Sequence, residues 1–168
     1  MSVAIDAQGQ DRPRGYVERA GATFTTLVDQ GNVLSDLYGF KAVPNGFLVD
    51  EEGTVCFSQL GGFDIRRPET AEMLELWVSG HGESLPGEGP ASSLDARHSE
   101  SNALFREGLD LYESGRTAEA LTRWRQALEL DPDNYLVRKQ VWAVENPERF
   151  YEGDVDYAWQ QEQLARGL

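Results

Sequence analysis

The chain has 168 residues, 40% of them hydrophobic, with 4 tryptophans, a content that supports a folded core and argues against disorder. Acidic residues outnumber basic ones by 29 to 15, for a net charge of −14; such a field repels phosphate backbones and anionic lipid, so nucleic-acid and membrane-surface partners are not expected. A lone cysteine, Cys56, rules out an internal disulfide framework, and no run is apolar enough for a signal peptide or spanning helix, which makes the cytoplasm the default location, with export the alternative if an upstream signal was lost.

Residues 1–80 alternate strand and helix patterns. Val3-Ala4-Ile5 reads as a short strand, and Pro13 to Ala20 as a helix closed by Gly21. Thr23 to Val28, rich in β-branched and aromatic residues, reads as a strand. Asn32 is placed to cap a short helix, Val33 to Tyr38, which Gly39 stops. Phe47-Leu48-Val49 and Val55-Cys56-Phe57 flank Asp50-Glu51-Glu52-Gly53, the turn chemistry of a hairpin. A helix from about Pro68 to Ser79 follows, with Met73, Leu74, Leu76 and Trp77 on its apolar face. The order β-α-β-α-β-β-α predicts an α/β sandwich with a mixed sheet.

Residues 81–98 read as a linker, because the stretch Gly80 to Arg97, GHGESLPGEGPASSLDAR, has almost nothing to bury. His81 and His98 fall in it, where no fixed element would make them converge on a metal. Residues 99–168 are helical in pattern. Gly108, Gly115, Ala120, Trp124, Ala127 and Pro132 stand at the spacing of one tetratricopeptide repeat, a helix-turn-helix unit of about 34 residues. The two small residues Gly108 and Ala120 let antiparallel helices approach closely, Gly115 makes the turn, Thr117 is the expected N-cap, and Pro132 ends the second helix. Glu107 departs from the apolar residue usual at its place. Residues 134–166 supply the cover a single repeat needs: an amphipathic helix, Tyr135 to Val144, then an aromatic segment with Phe150, Tyr151, Tyr157 and Trp159.

The stretch Asn32 to Gly53 resembles the later part of a thioredoxin-like domain of the redoxin family, which includes TlpA-like thiol oxidoreductases and peroxiredoxins. The resemblance rests on the helix ending Tyr38-Gly39, the Val43-Pro44 step, the strand Gly46 to Asp50 and the acidic Gly turn. It implies an incomplete thioredoxin-like domain over residues 1–80, followed by an all-α tetratricopeptide domain. It also implies that Val43 and a cis Pro44 form the wall against which the family holds extended substrates. Asn45-Gly46 departs from the family's commoner Thr-Thr.

The family's reactive cysteines would lie upstream of residue 1, and Cys56 does not stand at their position. Cys56 reads instead as a small hydrophobe buried in a strand. The family's central strand would be missing between the first and third strands. The sheet would then shift, take a strand from a second copy or partner, or belong to an incomplete gene product. The last is the expectation, from a late start codon or a selenocysteine codon read as a stop.

Other chemistry is sparse. Asp50, Glu51 and Glu52 suit a charged turn, Asp6 and Asp29 suit strand ends, and no phosphate loop, Ser/His/Asp set or zinc pattern stands out. No catalytic residue, metal or cofactor is expected. By resemblance to the repeat family, Asn102, Phe105, Leu109 and Tyr112 line a peptide groove that would hold a protein or peptide partner by apolar contact. The same face would equally suit docking on the chain's own N-terminal domain or C-terminal helices. Two functions follow as expectations: the C-terminal part of a thiol-disulfide oxidoreductase with a docking repeat, or a non-catalytic interaction module.

Overall fold

A computed structural model describes residues 1–80 and 96–167. The fold is mostly helical with a few small strands. In the N-terminal part, β1 (Ser2–Ala4) pairs in parallel with β2 (Thr26–Val28) across the helix α1 (Asp11–Arg19). The helix α2 (Val33–Tyr38) leads to an antiparallel hairpin of β3 (Gly46–Val49) and β4 (Val55–Gln59), and α3 (Pro68–Val78) closes the segment. The element order is the expected one. The strands, however, form two separate two-stranded sheets in place of a single mixed sheet. β1 and β3 share no ladder, so each presents a strand edge that the described residues leave unpaired.

Two local expectations are corrected. Asn32 does not cap α2: it adopts a left-handed conformation at φ 54°, and its amide reaches Asn102 at 3.0 Å. Asp29 takes the capping role, accepting from the Val33 and Leu34 amides at 2.9 and 2.8 Å. Cys56 is exposed, not buried. The reason is a bulge. Leu48 faces Phe57 and Val49 faces Val55, which leaves Cys56 as the extra residue, turned to solvent. The hairpin turn itself is closed by Asp50, whose Oδ1 accepts from the amides of Glu52 and Thr54, with Gly53 at φ 85°.

The C-terminal part is a helical stack of α4 (Ala96–Glu113), α5 (Thr117–Leu130), α6 (Tyr135–Glu145), α7 (Glu148–Tyr151) and α8 (Tyr157–Ala165). Gly115, at φ 81°, turns α4 into α5. Thr117 is the first helical residue and Arg116 the cap position, one place earlier than expected. The core joins Phe105 and Leu109 of α4 to Ala120, Trp124 and Ala127 of α5 and Val137 and Val141 of α6. Trp124 determines how closely α4 and α5 pack. Its indole N–H donates to the Phe105 carbonyl at 2.9 Å, which lays the ring over Gly108. A Cβ added there would stand 2.3 Å from Nε1.

A second cluster seals the far side: Trp142, Ala143 and Phe150 with Tyr151, Trp159 and Leu164, where Trp142 and Trp159 meet edge to face at 5.6 Å. Glu107 lies on the surface beside Arg123, at 3.4 Å.

Gly108→Ala is expected to lower stability by about 1–3 kcal/mol, the cost of overpacking a tight contact. Urea titration of the two proteins measures this directly; an unchanged midpoint would refute the packing argument.

Candidate functional site

The inner face of α4, where the expected groove residues stand, is covered by the chain's own N-terminal segment. Asn102 is fully buried and sits at the centre of the contact. Its Oδ1 accepts from Asn32 at 3.0 Å and from Asn134 at 2.9 Å, while its Nδ2 donates to Asp36 at 2.7 Å. One turn further along α4, Arg106 pairs with the other Asp36 oxygen at 2.8 Å. Asn134 caps α6 through Val137 and also donates to Ser101, whose hydroxyl reaches the Ala127 carbonyl. Five short polar side chains, Asn32, Asp36, Ser101, Asn102 and Asn134, thus join α2, α4, α5 and α6, with the buried Asn32 Oδ1 left without a hydrogen-bond partner.

Phe105 and Leu109 are buried in the helical core, and Ala7 of the N-terminal segment packs into the same cluster with 1% of its surface exposed. Tyr112 is half-buried, its ring 5.7 Å from that of Trp124.

Next to this network lies a charged one that the sequence did not suggest. His98 is part of α4, not of a linker, and is fully buried. Its Nδ1 lies 2.7 Å from Asp131 Oδ2 and its Nε2 lies 2.8 Å from Ser35 Oγ. Lys41 completes the cluster, donating to both Asp131 oxygens at 3.2 and 2.9 Å. Burial alone would raise the Asp131 pKa, but the hydrogen bonds from Lys41 and His98 outweigh it and hold the carboxyl below its ordinary range. His81 lies outside the described residues.

Ser35, His98 and Asp131 stand in the hydrogen-bonded order of a hydrolytic triad, a set the linear sequence does not reveal. Its surroundings suit a structural role. The Ser35 hydroxyl donates to the Phe40 carbonyl at 2.6 Å, and both Ser35 and His98 have no exposed surface. A nucleophile must reach a substrate carbonyl and hand its proton to the base; here the proton points elsewhere and protein fills the space. The array acts as a latch between α2, α4 and the end of α5.

The opposite end of the contact is built on Asp6, which is 8% exposed. Tyr151 donates to its Oδ2 at 2.9 Å, the Gln8 amide donates to its Oδ1 at 2.9 Å, and Arg12 lies over the Tyr151 ring at 4.6 Å. Desolvation outweighs these bonds and raises the Asp6 pKa. Burial, with Asp6 alongside, also raises that of Tyr151. Tyr16 donates to the Phe150 carbonyl.

The remaining sequence-selected residues lie away from this contact. The Val43–Pro44 bond is cis and Val43 is exposed. Asn45 and Gly46, the departure from the family pattern, have local roles. Asn45 links the Ala42 carbonyl to the Gly61 amide, both at 2.7 Å, and Gly46 leaves room for Phe63. Cys56 Sγ lies 3.5 Å from Asp50 Oδ2. Desolvation and that carboxylate raise the thiol pKa, which disfavours the reactive thiolate. Among the described residues no group of three His, Cys, Asp or Glu side chains is placed to hold a metal, and no helix is long and apolar enough to cross a membrane.

Residues 101–134 match the tetratricopeptide repeat family model, a unit that commonly mediates protein–protein interaction. No curated protein and no solved structure matches the chain.

The two buried carboxylates predict opposite pH responses. Asp131 has a lowered folded pKa, so its contribution is present above the ordinary carboxylate range and lost as pH falls through the folded value. Asp131→Asn is expected to cost about 3 kcal/mol near neutral pH, as for one partner removed from a buried pair, and to flatten the acid limb of the stability profile. Asp6 has a raised folded pKa, so its contribution is present at low pH and lost as pH rises. Asp6→Asn should therefore raise Tm near neutral pH and leave it unchanged in acid, as read by thermal melts across pH.

Proposed function

We propose that the chain is a non-catalytic protein-docking module, in which a tetratricopeptide unit carries the N-terminal segment in cis and that segment meets a protein partner. The observation that carries this reading is the uneven cover of the two parts. Of 11 large hydrophobic residues exposed on the described surface, only Tyr157 lies beyond residue 80. Val33 and Leu37 stand one turn apart on α2, 55% and 67% exposed, on the helix whose other side grips α4 through Ser35 and Asp36. Isolated surface apolar residues need no explanation, but such residues concentrated in one part of a chain suit a protein contact. The negative charge favours a partner with basic or neutral surroundings.

The test compares proteins captured by the full chain and by a Val33→Asp, Leu37→Asp variant. The variant is expected to keep the wild-type helical circular dichroism and lose the captured partners. An identical set captured by both would sink this reading.

A second reading keeps the thiol-disulfide oxidoreductase suggested by the resemblance, with Val43 and Pro44 as its substrate wall. What supports it is the element order β1-α1-β2-α2-β3-β4-α3 and the unpaired edges of β1 and β3. A strand inserted between those edges would merge the two sheets into one. On this reading the longer reading frame encodes an in-frame Cys-x-x-Cys or selenocysteine segment, and the protein translated from it reduces insulin disulfides. Noncoding sequence upstream would remove the reading.

A further inference from the structure

We infer that Ile5–Gln8 is a pH-operated clasp between the two parts of the chain, closed on α6 and α7 while the Asp6 carboxyl keeps its proton and loosened when it is ionised. The other end of the contact, where Lys41 and His98 bind Asp131, keeps α2 latched to α4 while the clasp opens.

The geometry withdraws one carboxyl from water. On either side of Asp6 the main chain is tied to the buried Gln140 of α6. The Ala7 N–H donates to Oε1 at 2.8 Å, and Nε2 donates to the Ile5 carbonyl at 3.3 Å. The Ala7 methyl, 1% exposed, is anchored in the core of the helical stack. Between these anchors Asp6 stays against the stack.

The groups that face Asp6 come from three helices and its own segment. From α7 the Tyr151 hydroxyl donates to Oδ2 at 2.9 Å, and within the segment the Gln8 amide donates to Oδ1 at 2.9 Å. From α6 the facing group is the neutral amide of Gln140. From α1 comes Arg12, whose guanidinium lies over the Tyr151 ring at 4.6 Å, and Tyr16, which donates to the Phe150 carbonyl. Among the described residues no cation is hydrogen-bonded to the Asp6 carboxylate. Asp131 differs, because Lys41 bonds both of its oxygens and His98 one.

A desolvated carboxylate without a bonded cation favours its neutral form, and the Asp6 pKa is raised accordingly. Protonation costs the clasp no contact. Oδ1 still accepts from the Gln8 amide, and the carboxyl O–H donates to the Tyr151 oxygen along the same 2.9 Å line. The proton therefore stabilises the closed clasp fully below the ordinary carboxylate range. That contribution is lost as pH rises through the folded value.

The test is hydrogen exchange on the full chain from about pH 4 to about pH 8, with each site corrected for its intrinsic rate. Protection of the Ala7 amide is expected to fall severalfold as pH rises. The Trp124 indole N–H, bonded to the Phe105 carbonyl in the core, should keep its protection. Asp6→Asn holds the neutral state at every pH and should keep Ala7 at its acid level of protection. Arg12→Gln removes the positive charge nearest the carboxylate and should carry the fall to higher pH. The Asp6 carboxyl itself, followed by carbon-13 NMR in the wild-type protein, should titrate above the ordinary carboxylate range, a reading that needs no variant. Parallel loss of protection at Ala7 and Trp124 would mean global unfolding and overturn the clasp. So would wild-type pH dependence in Asp6→Asn, or an Asp6 carboxyl that titrates at or below the ordinary range.

Discussion

A buried carboxylate, that of Asp131, is the point on which the assembly of this chain turns. It stands at the end of α5, accepts from His98 at the start of α4, and is bridged by Lys41 from the loop after α2. A charge withdrawn from water must be paired and hydrogen-bonded or it destabilises the fold. That requirement ties three separate stretches of chain to one position. Once His98 is oriented by Asp131, its other nitrogen meets Ser35, and α2 lies on α4 with Asp36 between Asn102 and Arg106. The side chains that would make a hydrolytic triad on an open surface here provide orientation and cohesion.

The cis contact also clarifies what the tetratricopeptide unit does. A single repeat leaves apolar surface that neighbouring repeats normally cover. In this chain α6 to α8 cover one side, and Ala7 with the polar fan around Asn102 covers the inner face. The contact has two chemically different ends. The Asp131 end favours the charged carboxylate, whereas the Asp6 end favours the neutral one. The N-terminal part contributes little core of its own, and its apolar side chains face outward in numbers that suit a further protein surface.

Features governed by neighbours in sequence were legible. The α2 boundaries, the Asp50–Gly53 hairpin and the α4–α5 turn at Gly115 follow from turn chemistry and periodicity within a few residues. Features set by distant partners were not. Asn32 looked like a cap because it precedes a helix, yet Asn102, 70 residues away, claims its side chain. Cys56 looked buried because it lies between Val55 and Phe57, yet one extra residue in β4 reverses the facing of a strand. His98 looked solvated because Gly, Pro and Ser precede it, and its pairing with Asp131 leaves no mark on either local pattern.

The sequence by itself determined the element order, the repeat and the small residues at which its two helices approach, because helix periodicity, small-residue spacing and turn preference are properties of nearby residues. Only the tertiary structure decided that the strands form two sheets, that the groove face is filled in cis, and that Ser35, His98 and Asp131 meet. Those outcomes depend on burial and on hydrogen bonds between residues far apart in the chain, where the energy of desolvating a polar group is set by whatever the fold brings against it.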